Sequence, residues 1–530
     1  MEFNRFSQRL TVIVTIVLGL ISAVVLGKLA GQERLGPILM VVLGGAALTT
    51  LLVLKERVWI VLLFAWPMTG QIRALNIPFS VRDLAVMYVF VGYLALIAFK
   101  IIRTRNRMTL IDLFMMSVLL MLAIAFIRNP VGVEALGSER VGGRPYFNIS
   151  IAVLAWWVLS RSDLTTVSPK WIFIAVLLGK TMDGLLATSL YYLPGLEGFF
   201  AEFYSCPIMT SGQQGDSAAS VLSESTERLS FLGFLVLPLL IALFSLDRPL
   251  AWLNIFKPWK ALIFALAVLG LLKSGFRSAF MIVIGIAMIS GFLRAGRSEV
   301  LRMVSLAILA LLFTVTFNNV LFDLPKNVQR TLSFLPGNWD AFAVSEGKES
   351  TEWRLYMWKQ ALLTDRYIEN KFLGDGFGIK KTDYAIMSYY AQHGTTEDTR
   401  ENLMIVGNFH SGPVTSIRYI GYIGLLLYLA MILLLAREGW KLCKAFKGSP
   451  YESLCYFMCL PLIMEPLTYV FIFGSFDVAV PEAIFGIGAL KLLRSAVPKK
   501  HGQEERIPVV ASFTERQPRP SAPRPRLALR

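Results

Sequence analysis

Long apolar runs divide this chain from one end to the other, separated by short stretches in which Lys and Arg collect. About 20 apolar residues carry a helix across a bilayer. Runs near that length fall at 11–30, 36–54, 58–70, 84–101, 108–127, 147–160, 171–193, 231–247, 260–273, 277–294, 302–319, 413–436, 453–474 and 478–493. Backbone polar groups cannot stay unpaired in lipid, so each run predicts a helix. The third, sixth and fourteenth are short or interrupted and are open to a re-entrant reading. The expected fold is therefore an all-α polytopic membrane protein with about 12–14 transmembrane helices. The first run follows Arg5 and Arg9, as the core of a signal peptide would. It is longer than such a core and more spans follow, which favours an uncleaved helix.

Charge assigns the two sides. Short cytoplasmic loops carry an excess of Lys and Arg. With the N-terminus inside, the inner segments read "KERV", "KIIRTRNR", "RSDLTTVSPK", "DRPLAWLNIFKPWK", "RAGRSEVLR" and "REGWKLCKAFKGS", each net basic. The tail 494–530 holds nine Lys and Arg against three Glu and is rich in Pro, so it reads as a disordered cytoplasmic segment able to touch anionic headgroups. Both termini are thus expected on the cytoplasmic side. Composition agrees with this picture: 55% of the 530 residues are hydrophobic, and the mean hydropathy is +0.59. Nucleic-acid binding is the rival account of the net charge of +16. Topology already accounts for that charge.

The other side receives the longer loops 128–146, 194–230 and 320–412. The last has ten Lys and Arg and twelve Asp and Glu. A loop of that length is too long for a connector and points to function. The expected organisation is spans over 1–319, the large and partly helical loop over 320–412, spans over 413–493, and the basic tail from 494 onward. Within the loop, "STEWRLYMWKQALLTDRYIEN" predicts a helix, with Ser350 as N-cap and Glu352 in the first turn. Trp353, Met357 and Ala361, with Trp358 and Leu362, recur at helical spacing. That apolar face would lie on the membrane surface or cover a cavity. Cys206 stands alone on the outer side, and Cys443, Cys455 and Cys459 lie inside or within a span. No disulfide and no metal-ligand spacing is expected.

Charges at or within the membrane are costly and usually functional. In "LLKSGFRSAFMIVIGI", two spans meet at an outer turn holding Lys273 and Arg277, where the positive-inside pattern disfavours cations. These are either snorkelling side chains or an anion site, and the guanidinium fork suits phosphate oxygens. Arg354, on the loop helix, is either a solvated charge or a second anion ligand. It precedes "KFLGDGFG", whose Gly374, Gly376 and Gly378 permit tight turns and close backbone approach. His410, one of three histidines, stands at the mouth of a span, where imidazole is suited to moving a proton near neutral pH. Arg418 is a further cation two turns on. Lys180 and Asp183 have the spacing of an ion pair within one span, and Glu465 stands mid-span without a sequence partner.

Taken in order, "SGFRSA", "RLYMWKQAL…FLGDGFG" and "HSGPVTSIRYIGYIGLLLYL" resemble the O-antigen ligase and polymerase superfamily of bacterial membrane glycosyltransferases. Ser411 stands where that family usually has Asn. The resemblance spans about 271–430 and implies a GT-C-like membrane enzyme in the cytoplasmic (inner) membrane, acting on polyprenyl-diphosphate-linked glycans. It implies that Arg277 and Arg354 hold the donor diphosphate, with Lys273 and Arg418 as secondary cations, and that His410 accepts the acceptor proton or orients its hydroxyl. A diphosphate leaves readily, so fixed cations are the main requirement. The outer loops show no acidic pair with metal-binding spacing, so metal-independent, inverting transfer is expected, with no cofactor. The implied partners are the lipid-linked donor, a glycan or lipid-glycan acceptor, the bilayer and other polysaccharide-assembly proteins. A flippase of lipid-linked sugars is the alternative from another class, but no internal repeat of the transporter kind is visible. Ligase and polymerase need the same donor chemistry, and the sequence marks no ligase acceptor site.

Overall fold

A computed structural model describes residues 35–102, 108–131, 142–206, 229–254, 256–318, 321–379, 383–386, 389 and 396–497. The run 11–30, His393, His501 and the tail beyond 497 lie outside these residues. Among them the regular structure is entirely helical, and β pairing is confined to isolated bridges such as Gln71 with Ser80 and Ser205.

The helices, in chain order, are α1 (Leu35–Leu54), α2 (Ile60–Ala65), α3 (Val81–Ala98), α4 (Leu110–Arg128), α5 (Gly143–Leu159), α6 (Pro169–Tyr192), α7 (Glu197–Phe203), α8 (Ser230–Leu246), α9 (Pro258–Lys273), α10 (Arg277–Ala295) and α11 (Arg297–Phe317). The large loop contributes α12 (Lys326–Leu332), α13 (Ala341–Leu363) and α14 (Thr396–Ile405). The chain then returns through α15 (Gly412–Ala445), α16 (Glu452–Leu467) and α17 (Phe476–Ser495). A π-helical turn, Thr468–Ile472, extends α16. Among the described residues, seven helices are long and apolar enough to cross a bilayer by themselves, including α3, α4, α6, α10, α11 and α15. Others fall short for visible reasons. The α2 segment is helical for six residues only, about 9 Å of rise. Its continuation closes its backbone bonds elsewhere: Gln71 and Ser205 exchange both N–H···O bonds, at 2.8 and 2.9 Å.

Helix starts follow local chemistry. Ser80 and Asp83 form a capping box at α3, and Asp112 accepts the Thr109 N–H at 2.6 Å at the start of α4. Proline opens α6 and α9, where its missing N–H costs nothing. Two buried carboxylates are paired with cations: Asp83 with Arg144, and Asp112 with Lys491 at 2.6 Å. The centre is built by α15 packed between α4, α16 and α17, with α17 also lying along α5. By contrast, no residue in the apolar window of α11 is buried, so that helix is peripheral and faces lipid.

Lys180 and Asp183 do not pair. Asp183 is buried and instead accepts from the Tyr204 hydroxyl, with Thr69 Oγ1 at 3.5 Å. A buried carboxylate takes the donors that reach it, and these come from the α2–α3 connection and the end of α7 rather than from its own helix. The Tyr204 phenol, in turn, is pushed up from its ordinary value by burial and by the Asp183 carboxylate.

Candidate active site

The turn "SGFR" joins α9 to α10. Ser274 is fully buried and its hydroxyl donates to the Leu271 carbonyl at 2.6 Å, while Gly275 takes a left-handed φ of 70°. This places Arg277 at the first position of α10, where free helix N–H groups and the helix dipole favour an anion. Lys273, at the end of α9, is exposed. The Arg277 guanidinium reaches the large loop. It donates to Ser333 Oγ at 3.2 Å and lies so close over Gly347 of α13 that a Cβ there would sit 2.6 Å from Nη2.

Helix α13 works as a ruler. Gly347, Arg354 and Trp358 are separated by seven and four residues, which returns to nearly the same face after about 10 and 6 Å of rise. At Gly347 this face meets Arg277. At Trp358 the indole N–H donates to the Phe409 carbonyl at 2.8 Å, one residue before His410. Arg354 sits between them, half-buried. Among the described residues it has no hydrogen-bond or ion-pair partner, and burial alone holds its guanidinium below its ordinary value. A half-buried cation without a counter-charge among the described residues is a candidate anion ligand. The adjoining face carries the apolar stripe expected of this helix. Met357 and Ala361 are fully buried against Phe409, Val414 and Ile417, with Trp353, Trp358 and Leu362 packed around them. The stripe therefore covers the start of α15 rather than lying on the membrane surface.

His410 stands just before Ser411, the N-cap of α15, and takes a left-handed φ of 50°, rare for a residue with a Cβ. Phe409 is fully buried and Asn408 nearly so, which fixes the approach to it. Its imidazole faces Phe473 with ring centroids 5.7 Å apart. Phe473 directly follows the π turn 468–472, and both α10 and α15 pack against that turn. The helix that begins at Arg277 and the one that follows His410 thus share one support.

Gly374, Gly376 and Gly378 belong to a different structure. α15 breaks at Gly421, whose φ of 71° and ψ of −178° are not helical. The segment 371–376 fills the break. Asp375 and Gly376 donate to the carbonyls of Arg418 and Tyr419 at 2.8 and 3.1 Å, and Tyr422 donates to the Lys371 carbonyl at 2.8 Å. A Cβ on Gly374 would lie 2.4 Å from the Ile420 nitrogen, and one on Gly378 would lie 2.3 Å from Asn129 Nδ2. The glycines thus admit close approach of protein backbone and side chain.

Residues 262–429 match the family model described as O-Antigen ligase. This segment is similar to the O-antigen ligase family. No curated protein matches the chain. The O-antigen ligase segment begins in α9 and ends in α15, and so takes in every candidate site residue from Lys273 to Arg418. It supports a glycosyltransferase-like enzyme in a multi-pass membrane protein.

Within the O-antigen ligase segment Arg418 is committed. Its Nη1 pairs with Asp375 at 2.8 Å and its Nη2 donates to the Gly378 carbonyl at 3.2 Å, with the two side chains 12% and 10% exposed. It pins the 371–378 segment into the break. A polar cavity of about 370 Å³ adjoins this plug, lined by Arg128, Asn129, Arg366, Asp375 and Asp383 among others. Arg366 pairs there with Asp383 at 2.8 Å, which holds its guanidinium above its ordinary value. Sequence reading missed Gly347 and Asp375, and only Trp358, four residues after Arg354, left a helical-spacing signal.

Cys443, Cys455 and Cys459 lie near the other end of α15, buried, their sulfurs all within 4.8 Å of one another. Among the described residues they are the one group of three potential metal ligands, gathered from two helices and so invisible as a spacing. They pack as small apolar side chains in the α15–α16 contact.

Proposed function

We propose that this protein is a membrane glycosyltransferase that transfers or polymerises a polyprenyl-diphosphate-linked glycan at the outer face of the bacterial cytoplasmic membrane, in the assembly of O-antigen, capsule or exopolysaccharide. The observation that carries the reading is the single face of α13, which lines up the Arg277 contact, Arg354 with no partner among the described residues, and the anchor of His410. The family match supports the reaction class. The proposed topology keeps both termini cytoplasmic, spans over 1–319 and 413–493, the functional loop 320–412 outside, and a cytoplasmic tail from 494.

In this reading the donor diphosphate lies along α13 between Arg277 and Arg354, and its polyprenyl chain runs between spans into lipid. The acceptor hydroxyl, oriented by His410, attacks the anomeric carbon. A new C–O bond forms as the bond from that carbon to the diphosphate breaks. The electron pair leaves on the diphosphate, held by the guanidiniums, and the hydroxyl proton passes to His410. Direct displacement inverts the anomeric centre. The guanidiniums fill the charge-neutralising role that a divalent ion plays in other diphosphate chemistry, so transfer is expected to proceed without metal. Lys273 adds positive potential at the rim.

The test is transfer in vesicles from a polyprenyl-diphosphate-linked oligosaccharide, with and without EDTA. Arg277→Ala and Arg354→Ala are each expected to lower kcat/KM by about 10²–10³-fold, as loss of one fixed donor does. His410→Ala should lower it by about 10²–10⁴-fold. Product length separates a polymerase from a ligase. Movement of donor across the membrane with no new glycosidic bond, insensitive to these substitutions, would make the protein a flippase instead.

A further inference from the structure

A second pocket lies at the end of the bundle opposite His410, where α4 begins and α15 and α17 near their ends. It is a cleft of about 220 Å³. Ile111, Leu434, Leu442, Ile487 and Leu490 form its apolar walls, and Arg437, Glu438, Lys491 and Arg494 its rim. Walls and rim ask for different things from a ligand, so both must be satisfied together.

The rim is over-supplied with positive charge. Lys491 pairs with the buried Asp112 at 2.6 Å. Glu438 serves two cations, accepting from Arg494 and from Lys441 at 2.6 Å. Arg437 is exposed and has no partner among the described residues. The cleft itself holds three cations, Arg437, Lys491 and Arg494; Asp112 matches Lys491, and Glu438 is shared between Arg494 and Lys441 outside the cleft, so Arg437 and part of the Arg494 charge are left for a guest.

The walls continue into lipid. Leu110 lines the cleft and is 58% exposed, and on the same strip of α4 Leu113, Met116 and Leu120 are also exposed. From Leu110 to Leu120 the helix rises about 15 Å, half the hydrocarbon thickness of a bilayer. A ligand here meets the uncompensated positive charge of Arg437 and Arg494 at a water boundary and an apolar stripe one leaflet deep. We infer that this cleft binds an acidic glycerophospholipid, its phosphate held by Arg437 and Arg494 and one acyl chain lying along the α4 stripe. Basic pockets between spans at the cytoplasmic side are suited to such headgroups, and the proposed topology puts this end there. A zwitterionic lipid brings its own cation to the rim and gains little. A free phosphate has nothing to set against the apolar walls.

The experiment uses the full-length protein in detergent, titrated separately with phosphatidylglycerol, phosphatidylcholine and inorganic phosphate. Lipid retention is read by native mass spectrometry, and the unfolding midpoint by a thermal melt. Phosphatidylglycerol is expected to be retained and to raise the midpoint, with phosphatidylcholine at least tenfold weaker and inorganic phosphate without effect. The Arg437→Gln/Arg494→Gln double variant should lose phosphatidylglycerol retention at least tenfold. Leu110→Glu breaks no ion pair and adds a favourable carboxylate at the first turn of α4. It should weaken retention similarly by repelling the headgroup, and it decides the matter if the double variant does not fold. Equal retention of the two lipids, an equal midpoint shift from inorganic phosphate, or unchanged phosphatidylglycerol retention in Leu110→Glu each overturns the assignment.

Discussion

Replacing Gly421 by Ala tests the interrupted α15 most directly. The residue combines a φ of 71° with a ψ of −178°, a region essentially reserved for glycine, so the backbone alone costs on the order of 1–3 kcal/mol. The steric demand is larger. An added Cβ would lie 2.0 Å from the Phe372 oxygen and 2.5 Å from the Leu373 nitrogen, both backbone atoms. The 371–376 segment must then withdraw by about an ångström, beyond the reach of the Tyr422 bond to Lys371 and the Asp375 bond to Arg418, each now 2.8 Å. A buried polar group left unmade costs about 1–3 kcal/mol. Loss of these two bonds with the backbone strain sums to roughly 3–9 kcal/mol, against a usual total stability of about 5–15 kcal/mol. Gly421→Ala should therefore express poorly, melt far below wild type and lose transfer. Gly374→Ala should behave alike, because its Cβ would meet the Ile420 nitrogen at 2.4 Å. Gly195→Ala, with nothing within 4 Å, should match wild type. The assay is the thermal midpoint of detergent-solubilised protein followed by size-exclusion chromatography. A Gly421→Ala protein with a wild-type midpoint would refute the plugged-helix account.

Two further outcomes follow from the same geometry. Arg418→Ala leaves Asp375 charged and nearly buried, so about 3–5 kcal/mol of stability should go with it, and transfer should fall in step with the melting midpoint; a stable variant whose only defect is a raised KM for donor would instead make Arg418 a diphosphate ligand. Trp358→Phe keeps the apolar packing but removes the 2.8 Å bond to the Phe409 carbonyl, which should cost about 1 kcal/mol in stability while kcat falls about tenfold, a split that stopped-flow transfer and melting curves on the same preparation would detect.

The spans were legible because their signal is local. Hydropathy placed runs at 84–101, 171–193 and 277–294, and the helices run Val81–Ala98, Pro169–Tyr192 and Arg277–Ala295. The apolar stripe of the loop helix was equally readable, since Trp353, Met357 and Ala361 need only a helical period. What covers that stripe was not readable, because Phe409 and Val414 lie some fifty residues away. The same limit hid the role of the glycine run. Its spacing announces close approach, but whether phosphate or backbone approaches depends on Gly421, which sequence reading placed merely as one of two glycines in a span. Arg418 and Asp375 illustrate the point with charges. Each looks available alone, and their 2.8 Å contact exists only once α15 has broken and 371–378 has entered the gap.

This distinction bears on where chemistry can reside. A cation whose partners lie within the fold is committed before substrate arrives, as Arg418 is by Asp375 and Arg366 by Asp383. Arg354 lies half-buried on a helix whose neighbouring positions, Met357 and Trp358, are fully engaged, yet among the described residues nothing neutralises it. Such a charge costs folding free energy that a simple substitution to a neutral residue would recover. Its presence is explained when the missing counter-charge arrives with the ligand. On this argument Arg354→Gln should melt at or above the wild-type temperature while losing transfer, the opposite signature to Arg418→Ala. In the proposed mechanism the plug in α15 holds the scaffold, and the α13 face carries the groups assigned to the chemistry.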